Sequence, residues 1–592
     1  MPKYKQVKSL ETLALRALTA YIRDLGEELM PLYTKAFELV MPDFHMDAMD
    51  LNAYDDEYIE DEIDFLDELE QIRELDLEQI RELARRRRKS STKSLSESHR
   101  NSFTQKQLQE ILRARVAILH DLFQYNVPCY LFDRLRMSLF SEIPRMVDRI
   151  KARRSIKTTQ GEFMSQINVA VTLVETIIGP YLTYHNFEET PKVLQQIFYM
   201  RLKDMKGLEF LNLGSLTGGW KTDDMEPTIM LGLDNMSNLQ YLSINYDCTD
   251  NLLLKLIEKC PRLTCLDLSS SKAVNDDSVN LLVRIPSLRF VNLHRTSVTM
   301  EGYIKLLLGL KKIEDIGPFD EIGRCLEYIA DNYHDFKGFA LKKFCSRYVT
   351  TRFLQIISEY CPEMQHVSIF FNMLICDLTA LIGINKLSIL HLLSCDFFSD
   401  QIRDVLAVKG CNLTHLHLEH VDQIDMNALM YISQYCPDLQ VFTIYNCEMI
   451  ESTSLYLQKP SIPPFMNLEK LTVIAQCDRR HLEFLWSTCL QIKVIKCGMM
   501  VPTTDELFEY ILSRNPMEHL EELSILRSDG LTIGMAYKFV EICPKLTQLN
   551  ELEGWSLIKE DELQLFKTFI KTNNLELNIE SKRFQTTAEE LI

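Results

Sequence analysis

One short string constrains the fold of this 592-residue chain more than any other feature: Leu-x-x-Leu-x-Leu, which returns again and again between Leu208 and Ile579. It is complete at Leu263, Leu266 and Leu268, with close variants at Leu208/Leu211/Leu213, Leu239/Leu242/Ile244, Leu288/Val291/Leu293, Leu413/Leu416/Leu418 and Leu520/Leu523/Ile525. Weaker copies begin at Ile313, Phe336, Met364, Leu387, Leu439, Leu468, Ile492, Leu546 and Leu575, giving about fifteen copies spaced 23 to 31 residues apart. That period fits one strand and one helix per unit stacked in a row, and neither a coiled coil nor a propeller.

The alternation inside each string is strand geometry, with the leucines on one side and the residues between them on the other. A helix follows. Asp276 and Asp277 offer capping oxygens to a run through Val279, Leu281, Leu282 and Val283 that stops before Pro286. Thr249-Asp250, Ser399-Asp400 and Thr504-Asp505 open other helical runs. Cys260-Pro261, Cys361-Pro362, Cys436-Pro437 and Cys543-Pro544 close them, because a small thiol packs well where proline prevents a further turn. The sequence resembles the cysteine-containing class of leucine-rich repeats, whose consensus joins Leu-x-x-Leu-x-Leu-x-x-Cys to a Thr-Asp helix start and a Cys-Pro helix end. The resemblance implies an α/β leucine-rich-repeat solenoid over residues 201–592, with parallel strands on a concave side and helices on the convex side. A chain of this kind is an interaction scaffold.

The residues between the inward leucines line the surface a partner reaches. Phe210 and Asn212, Tyr241 and Ser243, Phe290 and Asn292, His366 and Ser368, His415 and His417, Thr443 and Tyr445, and Glu522 and Ser524 read as a mostly neutral face. Phe210, Tyr241, Phe290, His366, His415, His417 and Tyr445 are the candidate substrate contacts, since aromatic anchors among hydrogen-bonding groups suit a protein partner. His415, His417 and His420 invite a metal, but Glu419 is the one local group to complete a ligand set, and no metal site is expected.

A net charge of −19 and a pI near 5.3 disfavour a nucleic-acid-binding protein, which needs clustered positive charge. The amino terminus lacks an apolar h-region and no uninterrupted apolar stretch is long enough to span a bilayer, so neither secretion nor membrane insertion is expected. Sixteen cysteines without a Cys-x-x-Cys pair read as reduced thiols. With no Walker loop, Gly-x-Ser-x-Gly elbow or His-Glu-x-x-His motif, no enzyme activity and no cofactor are expected. The expected location is cytoplasmic, nuclear or both.

The region before the repeats divides in three. Residues 1–40 carry an apolar helix pattern opening at Ser9-Leu10-Glu11-Thr12-Leu13-Ala14-Leu15-Arg16-Ala17-Leu18. This resembles the BC box, the helix by which substrate receptors of cullin ubiquitin ligases dock on elongin C. Ser9, Leu10 and Leu18 match that pattern, Leu13 lies within it, and Ala14 stands where cysteine is usual. Residues 41–104 form a charged insertion: ten acidic residues of sixteen from Asp55 to Glu70, then Arg85-Arg86-Arg87-Arg88-Lys89 and a serine-rich stretch. The basic run reads as an import signal, and Ser90 or Ser91 as a phosphorylation site.

Residues 105–200 form a helical adaptor or capping region. Within it, Val127, Pro128, Leu131 and Leu135 begin a capped helix with one apolar stripe. It resembles the cullin-contacting half of an elongin-binding box, and also an F-box opening with Val127 and Tyr130 in place of Leu and Glu. The tryptophan common near the end of an F-box has no counterpart between Leu139 and Leu182. Three readings stand: a receptor for elongin C with a cullin, a receptor for the F-box adaptor with a cullin, and a scaffold without a ligase, whose first helices cap the solenoid.

Overall fold

The computed structural model describes residues 10–40, 110–118, 134–140, 168–175, 182–190, 192–214, 222–370, 376–394, 399–421, 424–450 and 462–579, with single residues 121, 142 and 178. The charged insertion, Ser9, Val127, Pro128 and Leu131 lie outside the described residues. The chain divides into a unit over Ser9–Gly207 and a unit over Leu208–Ile592.

The Ser9–Gly207 unit opens with helix α1, Leu10–Val40, and ends with a strand, β1, Tyr184–Asn186, and a helix, α2, Lys192–Met200. One face of α1 supplies the core residues Leu15, Ile22 and Leu29, which join Leu112, Leu135, Leu139, Val169, Leu173 and Phe198. His185 is fully buried, stacks on Phe198 at 4.5 Å and meets Nη1 of buried Arg136 at 3.1 Å through its Nδ1. A guanidinium donates and never accepts, so Nδ1 is the unprotonated nitrogen. Burial and the neighbouring guanidinium hold this imidazole well below its usual pKa.

From Leu208 onward the strands stack in chain order. The first run is β2 Phe210–Asn212, β3 Tyr241–Ser243, β4 Cys265–Asp267 and β5 Phe290–Asn292, all parallel. The second is a nine-stranded sheet whose order follows the sequence. Its members are β6 Lys343–Arg347, β7 His366–Phe370, β8 Ile389–Leu393, β9 His415–Glu419, β10 Val441–Glu448, β11 Lys470–Gln476, β12 Val494–Cys497, β13 Glu522–Ile525 and β14 Gln548–Asn550. Every pair is parallel, with a helix or 3-10 segment in most of the crossovers. The fold is a leucine-rich-repeat solenoid.

The first leucine position is filled by Leu208, Leu239, Leu263, Leu288, Ile313, Leu341, Met364, Leu387, Leu413, Leu439, Leu468, Ile492, Leu520, Leu546 and Leu575, none more than 1% exposed. One copy sits differently from the sequence reading: its frame is Leu341-x-x-Phe344-x-Ser346, not Phe336. Phe336 belongs to the preceding turn, where its ring packs 4.4 Å from that of Phe339. The copy at Ile313 contributes a single bridge, Phe290 to Asp315. Asp315 Oδ1 accepts the backbone N–H of Gly317, which turns left-handed at φ 68, and the chain leaves the sheet early.

The same side-chain chemistry sets strand length elsewhere. Where the fifth repeat position is Asn or Asp, its oxygen can take the N–H two residues on and end the strand. Asn212 bonds Gly214, Asp267 bonds Ser269 and Asn292 bonds His294, and all three strands have 3 residues. Ser368, His391 and His417 occupy that position in strands of 5 residues. At the eighth position, past the strand, stands a left-handed residue, Tyr246, Ser270, Arg295, Tyr348, Ser394 or His420, with φ between 49 and 69; Asn446 has the same conformation at the register shift inside β10.

At the ninth position, the cysteine of the consensus, Cys447 Sγ donates to Leu418 O and accepts from Val421 N, both at 3.4 Å. Ser271 does the equivalent with Ile244 O and Cys248 N, each at 3.2 Å. Helix starts are also coupled between repeats. Thr504 caps its own helix, Asp505–Arg514, while Asp505 accepts from the backbone N and Oγ1 of Thr532 in the next repeat at 3.0 and 2.6 Å. The helix Asp276–Leu282 is capped by Asn275, not by Asp276 and Asp277; Asp276 instead holds Thr299 one repeat on, at 2.8 and 2.6 Å. The Cys-Pro cysteines end their helices as anticipated, at most 2% exposed, with burial pushing each thiol up to about 12.

Candidate protein-interaction surfaces

Helix α1 has two unlike faces. Leu15, Thr19, Ile22, Gly26 and Leu29 are buried, and Thr19 returns its hydroxyl to Leu15 O at 2.7 Å. On the other side Leu13 is 42% and Tyr21 48% exposed, Ala14 and Ala17 are exposed, and Leu18 is half-buried. These residues follow one another at the spacing of a helix face. Leu10 is the first residue of the helix. Leu135, at the end of the apolar stripe anticipated from Val127, is 0% exposed, so its side chain belongs to the core of its unit.

On the concave side of the repeats the ladder fixes neighbours. Phe210 pairs with Tyr241, Tyr241 with Cys265, and Cys265 with Phe290. The rings of Phe210 and Tyr241 stack at 4.2 Å and 9°. In the second sheet, Lys343, His366, Ile389, His415, Val441 and Lys470 stand in one row; Cys345, Ser368, His391, His417, Thr443, Thr472 and Lys496 form the next. Tyr445 lies a further row along, between Glu419 and Ile474.

Four histidines therefore meet on three adjacent strands. His366 Nε2 lies 3.3 Å from His391 Nδ1, and Ser368 Oγ reaches both, at 3.0 and 3.2 Å. His391 and His417 rings are 5.2 Å apart, and His417 Nε2 bonds Glu419 Oε2 at 3.0 Å. Burial, then Lys343 and His415, lower the pKa of His366 to about 4. Burial, then His366 and His417, lower that of His391 to about 2. His366 and His391 thus stay neutral at neutral pH, in a part of the face rich in hydrogen-bonding atoms. Among the described residues no three His, Cys, Asp or Glu groups are arranged to hold a metal ion. Among them too, no helix is long and apolar enough to cross a membrane.

The face is not neutral throughout, and the sequence reading fell short here. It names the copies at Leu387, Leu468 and Ile492 without their inward residues and places the Leu341 copy at Phe336, so Lys343, Arg347, His391, Lys470 and Lys496 are missing from it. At the three inward registers of β6 to β12 those three lysines and Arg347 stand with one acid, Glu419, which is bonded to His417, while Asp315 one repeat before Lys343 and Glu522 on β13 bound the stretch. Over β2 to β5 and the bridge at Asp315 the balance reverses: Asp267 and Asp315 are present, with no Lys or Arg. The missing signal was the repeat frame itself, applied to every copy.

No family model matches this chain, and no curated protein is similar to it. Solved structures are similar in fold. A Listeria monocytogenes internalin has 13% identity and a TM-score of 0.30, over 60% of this chain and 83% of that one. A leucine-rich-repeat protein of Leptospira interrogans has 12% identity and a TM-score of 0.33, over 70% and 91%. Rad7, solved with Elc1 in yeast, has 14% identity and a TM-score of 0.38, over 69% and 96%.

Proposed function

We propose that this chain is the substrate-recognition subunit of a cullin-type ubiquitin ligase, docking elongin C through α1 and holding a protein substrate on the concave face of its repeats. The observation that carries the reading is the apolar outer face of α1. Leu13, Ala14, Ala17, Leu18 and Tyr21 stand outward on a helix whose opposite face is fully packed. Apolar residues in a row at helical spacing, outside the core, fit a helix-in-groove contact. Leu10, Leu13 and Leu18 also fall within the span that resembles a BC box. Ubiquitin transfer itself belongs to the other subunits. This chain contributes proximity and orientation, in the cytoplasm or nucleus.

Co-purification tests the reading directly. Full-length chain recovered from cells is probed for elongin C and for the F-box adaptor, beside an Ala14→Glu/Leu18→Glu variant. Both positions are outside the packed face, so the variant keeps its fold, checked by thermal unfolding. Elongin C present with the parent and lost with the variant is the expected result. Recovery of the F-box adaptor instead supports the other receptor class, and recovery of neither leaves a repeat scaffold.

A further inference from the structure

We propose that the slot over Cys265 on the concave face, walled by Tyr241 and Phe290 and closed at one end by Asp267, holds one arginine side chain of the protein partner. This rests on the reading of the concave face as the substrate surface and names the side chain that one part of it takes.

The row at the third repeat position runs Phe210, Tyr241, Cys265, Phe290 across β2 to β5, in register. One small side chain therefore interrupts three large rings. The rings of Phe210 and Tyr241 are 4.2 Å apart and within 9° of parallel, so their planes face along the row. Tyr241 has Phe210 against one ring face and turns the other towards Cys265. Two strand steps of about 4.8 Å put the Tyr241 and Phe290 backbones ~9.6 Å apart, and a flat group about 3.5–4.0 Å from each wall takes up ~7–8 Å. Cys265, at the floor, is only half-buried, so solvent reaches into the slot.

Charge decides which flat group belongs there. Asp267 lies two residues beyond Cys265 on the same face of β4, ~6.6 Å along at about 3.3 Å per residue. Its Oδ1 accepts the backbone N–H of Ser269 at 2.9 Å, and among the described residues no Lys or Arg pairs with it. Its neighbours in register, Ser243 and Asn292, are neutral and buried. The two arginines of the adjoining repeat are placed elsewhere: Arg289 is held by Glu314 at 3.2 Å, and Arg295 stands past the end of β5. An aromatic guest leaves the carboxylate without a donor, and a lysine ammonium is too compact to fill the space between two rings. A guanidinium is flat, always charged and lined with N–H groups, so it continues the stack and donates to Asp267 Oδ2.

Alkylation of Cys265 in the full-length protein reads the slot directly. Iodoacetamide labelling is followed by mass spectrometry, with the exposed Cys411 as internal reference. The probe is a blocked pentapeptide with one arginine among Ser and Asn residues, beside versions carrying lysine or citrulline instead. At saturation the arginine peptide is expected to slow Cys265 about fivefold or more, and the other two by less than about twofold. Asp267→Asn should remove the protection, and Glu258→Gln, on the helix Asp250–Lys259, should keep it. The idea is overturned if Cys265 does not react at all, if citrulline or lysine protects as well as arginine, or if Cys411 is slowed equally. Protection that survives Asp267→Asn in a protein whose unfolding is unaltered also sinks it. Elongin C recovery is measured on the same protein. Its absence with Cys265 protected sinks the ligase reading alone, and its presence with Cys265 unprotected sinks this one.

Discussion

His391 is crowded by three other imidazoles and a lysine, and that crowding ties the concave face to the stability of the fold. In the unfolded chain an imidazole takes up its proton near pH 6.5, whereas folded His366 and His391 resist protonation down to about 4 and about 2. Stability from keeping them neutral is complete above pH 6.5 and is lost as pH falls from there through the folded values. Each residue contributes a slope of up to about 1.4 kcal/mol per pH unit in that window. Denaturant unfolding from pH 7 to 5 should therefore show a steeper loss for the parent than for His391→Gln, by roughly 1 kcal/mol per unit. Equal slopes would mean that the ring is not held neutral. The buried thiols act in the opposite sense: Cys260, Cys361, Cys436 and Cys543, each pushed up to about 12, stay protonated and inert throughout this range.

The helices Asp276–Leu282 and Asp505–Arg514 each begin with a residue that serves its own turn and one that serves the next repeat, and the sequence discloses only the first. Thr504 as a cap is legible, because a hydroxyl before an apolar periodic run has a local reason to be there. The reach of Asp505 to Thr532 is not legible, since it exists only once two helices lie side by side. Asp276 shows the same limit, with a carboxylate assigned to its own helix when its partner is 23 residues on. Removing the Asp505 contact should cost about 1–2 kcal/mol, and a cycle of Asp505→Ala with Thr532→Val should return a coupling near 1 kcal/mol. Additive effects within about 0.3 kcal/mol would show that the bond contributes nothing between repeats. The concave charge escaped for a related reason. One lysine per strand is unremarkable in sequence, and Lys343, Lys470 and Lys496 form a surface only because the stack aligns positions that are dozens of residues apart. The leucine frame itself was plain, apart from Leu341, where the turn holding Phe336 and Phe339 imitated a strand.

An array that grows in one direction transmits damage in one direction as well, because each repeat touches mainly its neighbours. Trp486 is fully buried, stacks on Phe508 at 5.1 Å, and Phe508 meets Phe539 edge-on at 4.9 Å, an aromatic line through three successive helices. Trp486→Ala should cost about 3–5 kcal/mol. Hydrogen exchange should quicken most in residues 462–525 and fade with each repeat away, leaving 239–310 near parent rates. Uniform acceleration over Leu208–Ile592 would instead mean that the unit unfolds as a single block. The reversal of charge along the same axis has its own outcome. With Asp267 and Asp315 near one end and Lys343, Lys470 and Lys496 further along, the concave surface has a heading, and a ligand with one acidic and one basic end can lie on it in one sense only. In a receptor of the kind proposed above, that sense would decide which of the ligand's lysines face outward.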